Sequence, residues 1–118
     1  MSLSINAKTY TADNFGSNAV GYIGPSKTLS ILDDTRMGRV SPKPTAVFSG
    51  VGRTSAKLSR TLTLTGALTP TGVSILEISC SIPVGTASAD IDVLLNDMGA
   101  FLASATFKTH VKAQQISF

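Results

Sequence analysis

Hydrophobic side chains keep two different rhythms along this chain, and the change falls at Pro83. Up to about Val84 the sequence is rich in Ser, Thr, Val and Ile, broken by Gly and Pro, and apolar residues alternate with polar ones. A period of two puts successive side chains on opposite faces of a pleated strand, so this part reads as strands and turns. Beyond Pro83, Ile91, Leu94, Leu95, Met98, Phe101 and Leu102 recur at helical spacing behind Thr86-Ala-Ser-Ala-Asp90, which offers a capping hydroxyl and a first-turn acid. A chain organised this way is α+β, with strands first and helices last.

The expected strands are residues 3–10, 19–23, 28–33, 45–50, 57–65 and 73–82. Turn signals separate them: Asp13-Asn-Phe-Gly16, Gly24-Pro25, Ser41-Pro-Lys-Pro44, Gly50-Val-Gly52 and the stretch from Gly66 to Gly72. Consecutive short hairpins of this kind make an antiparallel sheet, and the first dozen residues read either as a hairpin or as a loose arm. The first helix is expected to end near Ser104. A second, weaker helix runs from Ala105 toward Gln115, with Phe107 and Val111 four apart on one face.

The segment Lys57-Leu-Ser-Arg-Thr-Leu-Thr-Leu-Thr65 displays its two faces. Lys57, Ser59, Thr61, Thr63 and Thr65 fall on one side, and Leu58, Arg60, Leu62 and Leu64 on the other. From Val73 onward, Leu76, Ile78, Cys80 and Ile82 oppose Ile75, Glu77, Ser79 and Ser81. An antiparallel sheet buried on one side and wet on the other fits both strands. Arg60 is the anomaly on the greasy side. Either it snorkels to the sheet edge or pairs with a helix acid such as Asp97, or the strand slips register at a bulge near Ser59.

Length and composition narrow the function. At 118 residues the chain is one domain's worth, with a hairpin region at 1–25, a sheet at 26–84 and helices at 86–118. Charged residues make up 14% of it, against roughly 25% in an average soluble domain, which suits a surface largely used in contacts. The net charge of +3 is mild, but no acidic residue occurs between Thr35 and Leu76, where Arg36, Arg39, Lys43, Arg53, Lys57 and Arg60 all fall. That stretch is a local cation.

Catalysis has little to stand on. One cysteine, Cys80, and one histidine, His110, allow neither an internal disulfide nor a multi-histidine or cysteine-based metal site, so no metal and no cofactor is expected. Cys80 sits in an apolar run and reads as a core thiol. Asp33-Asp34 reads as a turn beside the basic stretch, and Asp90 and Asp92 as helix-start acids. Gly50-Val-Gly-Arg-Thr54 lacks the Gly-Lys-Ser/Thr ending of a phosphate loop and reads as a hairpin turn. No run is apolar enough to span a membrane, and Met1-Ser-Leu-Ser lacks the character of a secretory signal. Neither a membrane nor a small-molecule substrate is an expected partner.

Geometry favours a second copy of the chain. A helix of about fifteen residues is ~22 Å long and covers only part of a greasy face several strands wide. Two subunits exchanging helices across a continuous sheet would cover the rest, and a symmetric dimer is expected on this ground.

The run Val73-Ser-Ile-Leu-Glu-Ile-Ser-Cys-Ser-Ile-Pro-Val-Gly-Thr-Ala-Ser-Ala-Asp90 resembles the last strand and helix start of coat proteins from small single-stranded RNA bacteriophages of the levivirus type. Gly99-Ala-Phe-Leu-Ala-Ser104, a short second helix and the terminal Phe118 are similar to that family's C-terminal end. Lys43-Pro-Thr-Ala-Val-Phe-Ser49, a glycine-rich turn and Ala56-Lys-Leu-Ser-Arg-Thr-Leu-Thr-Leu64 resemble its central strands. The similarity covers about two-thirds of the chain, from Lys43 to Phe118.

The resemblance implies an N-terminal β-hairpin, a five-stranded antiparallel sheet and two C-terminal helices that interlock with a partner into a dimer with a ten-stranded sheet. Such dimers tile an icosahedral shell around a single-stranded RNA genome and, in many relatives, bind an RNA hairpin as translational repressor and packaging signal. The implied setting is a virion assembled in the bacterial host cytoplasm. The implied dimer interface comprises Ile91, Leu94, Leu95, Met98, Phe101, Leu102, Phe107 and Val111.

For RNA, the resemblance places Thr45, Val47, Ser59 and Thr61 on the inward face, with Lys43, Arg53 and Lys57 supplying the salt-dependent phosphate contacts. Val47 and Thr61 replace polar or cationic types of the best-known relatives, Ile75 stands where a base-stacking aromatic is found, and Glu77 where an amide is found. A carboxylate facing phosphates is unfavourable, so the hairpin recognised is expected to differ from the well-known ones or to be held weakly. Two other classes compete: a non-capsid dimeric RNA-binding regulator using the same basic face, and a structural subunit that assembles without RNA.

Overall fold

The computed structural model describes residues 2–118 and shows two compact units, Met1–Val84 and Gly85–Phe118. The first is a single six-stranded antiparallel sheet in simple sequential order: β1 (Ser2–Ile5), β2 (Lys8–Phe15), β3 (Ala19–Ile23), β4 (Asp33–Val40), β5 (Val51–Thr63) and β6 (Thr71–Pro83). The second holds α1 (Ser88–Leu102) and α2 (Ala105–Ala113). The α+β class and the C-terminal helices are as expected. The strand count is not, because the N-terminal hairpin is part of the same sheet and the total is six.

The segment 3–10, expected as one strand, is two. Asn6 and Ala7 both take positive φ, 49° and 64°, and make a two-residue turn between Ile5 and Lys8. Such a turn matches the right-handed twist of the strands it joins, and Asn tolerates the left-handed region better than most residues. Asp13-Asn-Phe-Gly16, expected as a turn, mostly continues β2. The register shifts between Ala12 and Asn14, so Asp13 is accommodated as a bulge.

The largest correction concerns residues 28–50. Residues 28–32 form a loop and not a strand, held by the Thr28 hydroxyl, which accepts from the Ile31 amide at 3.0 Å. The strand instead begins at Asp33, so Asp33-Asp34 is no turn, and it runs through Arg36 and Arg39 to Val40. Residues 45–50 also form no strand. Pro42 and Pro44 have no N–H to give a ladder, and the Thr45 amide donates to the Phe48 carbonyl at 2.7 Å, closing a tight turn. Strand β5 then starts at Val51, where a turn was expected, and pairs with β6 over its full thirteen residues without a bulge.

In the helical unit the expected hydroxyl cap of α1 is absent: Ala87 holds the N-cap position without a side-chain hydrogen bond. For α2, Ser104 performs this role and its hydroxyl accepts from the Phe107 amide at 3.2 Å. Helix α2 ends two residues earlier than expected, where Gln114 takes a left-handed conformation.

Candidate nucleic-acid interface

The register of β3 to β6 sorts side chains into rows across the sheet. One row runs Gly21, Arg36, Lys57, Glu77; the next runs Ile23, Asp34, Ser59, Ile75; a third runs Ala19, Gly38, Ser55, Ser79; and Val40, Arg53 and Ser81 make a fourth. All of these project from one face, since paired residues in an antiparallel ladder share a side. The face is polar, with three cations on adjacent strands and hydroxyls beside them. Two acids, Asp34 and Glu77, are set among them, and Lys27 Nζ lies 3.5 Å from Asp34 Oδ1. Gly21, with no side chain, leaves the surface low beside Arg36. A hollow of about 270 Å³ opens there, lined by Asn14, Gly21, Asp34, Arg36, Lys57 and Ser59 among others.

Of the expected RNA-facing residues, Arg53, Lys57, Ser59, Thr61, Ile75 and Glu77 come together on this face. Lys57 stands directly across from Glu77, and Ser59 from Ile75. Thr61 sits at its margin with its hydroxyl already engaged, accepting from the Leu32 amide at 2.9 Å. Lys43, Thr45 and Val47 are not on the sheet but in loop 41–50, where Val47 is fully exposed at 96% and the Thr45 hydroxyl bonds the Phe48 carbonyl. Asp34 and Arg36, read from the sequence as part of a turn and of the basic stretch, also lie on this face, across from Ser59 and Lys57. Alternation through Asp33-Asp-Thr-Arg-Met-Gly-Arg-Val40 was the available signal, masked by four charges in eight residues.

The opposite face holds what fixes β4 in place. Tyr10, Asp33 and Arg60 project from β2, β4 and β5 on the apolar side and form a closed hydrogen-bonded cluster. The Tyr10 hydroxyl donates to Asp33 Oδ1 at 2.8 Å, and Arg60 donates from Nε to the same oxygen at 3.2 Å and from Nη2 to the Tyr10 hydroxyl at 2.6 Å. The Ser26 amide donates to Asp33 Oδ2 at 3.3 Å. Tyr10 is wholly buried and Asp33 nearly so. Burial pushes the Asp33 carboxyl upward. The Tyr10, Ser26 and Arg60 hydrogen bonds and the Arg60 charge together outweigh that and hold it below the usual aspartate value. Arg60 therefore has its acid partner in Asp33, not Asp97, and no bulge at Ser59 is needed to place it. Gly24 completes the cluster: a side chain there would run into the Asp33 carboxylate and the Tyr10 ring.

Beyond Tyr10 this face is thinly covered. Met37 is 46% exposed, Leu76 is 50% and Ile78 is 37%, and Cys80, expected as a core thiol, is only half-buried. In the helical unit no residue is buried. Leu94, Leu95, Met98, Phe101 and Val111 are exposed, while Ile91, Leu102 and Phe107 are half-buried. The Phe101 and Phe107 rings meet edge to face at 5.2 Å, joining the two helices. Among the described residues there is no cluster of ligands fit for a metal ion, and no helix is long and apolar enough to cross a membrane.

No family model and no curated protein matches the sequence. Solved structures do match the fold. The chain is similar to a subunit of the virus-like particle of Beihai levi-like virus 32, with a TM-score of 0.82 and 16% identity over 96% of this chain and 91% of that one. It is similar also to the virus-like particle subunit of bacteriophage GQ-907, with a TM-score of 0.77 and 13% identity over 98% and 88% of the two chains. A third match is the coat protein of bacteriophage EMS014, with a TM-score of 0.59 and 18% identity over 83% and 68%. A sequential antiparallel sheet followed by two helices, matched over nearly its whole length to these subunits, is the levivirus coat fold.

Proposed function

We propose that this chain is a capsid protein: it pairs into dimers through its helices and exposed sheet face, and the dimers close into an icosahedral shell around single-stranded RNA. The observation that carries this reading is the whole-length likeness to subunits taken from virus-like particles. The distribution of apolar surface agrees with it. Leu94, Leu95, Met98 and Phe101 on α1, and Leu76 and Ile78 on the sheet, are large apolar side chains left exposed, the kind of surface that marks an interaction site when contiguous. A second copy of the chain, supplying the same surfaces in return, buries both by symmetry.

The polar face supports the RNA part of the reading. Arg36, Arg53 and Lys57 are spaced across two adjacent strands with Ser55 between them and Ser59 beside Lys57, so phosphates and ribose hydroxyls both find partners there. Glu77 and Ile75 weaken it at the β6 side, where neither a cation nor a stacking ring is present. Packaging of RNA along this face, with weak or altered selection of any one hairpin, follows from that composition. Repression of translation would use the same face, and assembly would take place in the cytoplasm of a bacterial host.

Electron microscopy of the protein expressed alone in bacteria, with the 260/280 nm absorbance ratio of the same fraction, tests the reading. Uniform closed particles with a nucleic-acid-dominated ratio are the expected result. A soluble dimer with salt-sensitive RNA affinity and no particles would point instead to a regulatory RNA-binding protein, and particles free of RNA to a structural subunit of another kind.

A further inference from the structure

At the far end of the polar face, loop 41–50 folds back beside the start of β5 and borders an open hollow of about 370 Å³. It is lined by Val40, Ser41, Lys43, Phe48, Gly50, Val51 and Arg53. The loop reaches this position because Gly50 has φ of 96° and no side chain: a Cβ there would lie 3.0 Å from the Lys43 amide nitrogen and 3.1 Å from the Pro42 ring. The Thr45 to Phe48 turn then sets the Phe48 ring at the hollow, half in solvent at 53% exposure.

We infer that this hollow is a binding site for one nucleotide of single-stranded RNA, with the base stacked on Phe48 and the phosphate held between Lys43 and Arg53. The inference rests on the reading of the polar face as an RNA surface and names a subsite of it. Three observations carry it. The volume falls within the roughly 300–1,000 Å³ of small-ligand sites. Its lining contains two cations and no acid, whereas the hollow by Gly21 mixes Asp13 and Asp34 with its cations, so a polyanion is favoured here over that hollow. An aromatic ring beside paired cations is the combination by which single strands are held without sequence preference. Arg53 belongs to the same face as Lys57 and Ser59, so a strand lying along β5 passes directly from the hydroxyl-lined rows into the hollow.

The test uses the full chain and a short oligoadenylate. The sequence contains no tryptophan, so Phe48→Trp introduces a single reporter at the site. Its fluorescence is expected to be quenched by the oligonucleotide along the same curve that fluorescence anisotropy gives for the wild-type protein. Phe48→Leu, which keeps the ring's apolarity and removes its π face, is expected to weaken binding roughly five- to 150-fold, and Phe48→Tyr to restore it. Wild-type binding with an unquenched Trp, or with Phe48→Leu at full affinity, overturns the subsite and leaves the RNA surface standing. Failure of the wild-type chain to bind at all overturns the RNA surface itself. Unchanged RNA affinity joined to loss of particles in Phe48→Leu would assign the hollow to a neighbouring copy of the chain. The Trp readout does not depend on the Leu variant folding.

Discussion

Arg60 and Asp33 stand directly opposite each other on β5 and β4, and the guanidinium Nε donates to the carboxylate at 3.2 Å on the side of the sheet away from Lys57. Removing one partner leaves a nearly buried charge without compensation, which costs more than the pair's net contribution. Arg60→Ala is expected to destabilise the fold by about 3 kcal/mol. This is the low end for buried pairs, because about a third of the Arg60 side chain (32%) is exposed. Urea unfolding at fixed protein concentration measures it. Asp33→Asn combined with Arg60→Met should cost less than Arg60→Ala alone, and a larger loss in the double variant would refute the pairing argument.

The same carboxylate gives stability a pH dependence. Its folded value lies below its unfolded one, so folding favours the ionised form, and the contribution is complete above the ordinary aspartate value of about 3.9. As the pH falls below that value toward the lowered folded one, the contribution is lost. The urea midpoint of the wild-type protein should drop more steeply below pH ~4 than that of Asp33→Asn. Parallel curves for the two proteins would show that Asp33 is not responsible.

Glu77 stands across from Lys57, and a carboxylate on a surface that meets phosphates repels them. Glu77→Gln is expected to raise RNA affinity several-fold at low salt. Lys57→Ala should lower affinity and reduce the slope of log affinity against log salt by about 0.7, one phosphate contact's worth for a single strand. Filter binding across a salt series checks both. Unchanged affinity in Glu77→Gln would remove β6 from the interface.

Leu95 lies in the exposed stripe of α1 at 51% exposure, and within the chain a charge there would disturb nothing buried. Leu95→Asp is expected to leave the helices intact by circular dichroism while abolishing dimers in sedimentation analysis, since a buried carboxylate without a partner costs several kcal/mol. Dimers that survive the substitution would place the interface elsewhere.

Alternation through residues 57–65 and 73–82 located the middle of β5 and most of β6, whereas residues 51–56, where a turn was expected, extend β5 to thirteen paired residues with Leu58 beside Leu76. Strand β4 was not legible in this way. Its inward positions include Asp33 and Thr35, which read as surface residues until Tyr10 and Arg60 are brought to Asp33 from 23 and 27 residues away. Local pattern carries no information on such a partnership. The opposite error occurred at Thr45-Ala-Val-Phe48, where an apolar run looked like a strand although prolines before it remove ladder donors. Thr45 and Val47, which the resemblance put on the inward face, therefore lie in a loop and not on the sheet. On α1, spacing identified the apolar stripe; the cap failed because a Ser or Thr near a helix start is a preference and not a requirement.

Loop 64–70 is closed at its base by a single backbone bond, from the Leu64 amide to the Pro70 carbonyl at 2.8 Å, and at its tip Leu68 is fully in solvent. Thirteen paired residues on either side fix the strands without help from the loop, so its length is nearly free to vary: each doubling costs only about 0.6 kcal/mol of closure entropy. A foreign peptide spliced between Gly66 and Thr69 would thus ride on an undisturbed scaffold, presented once by every copy of the chain.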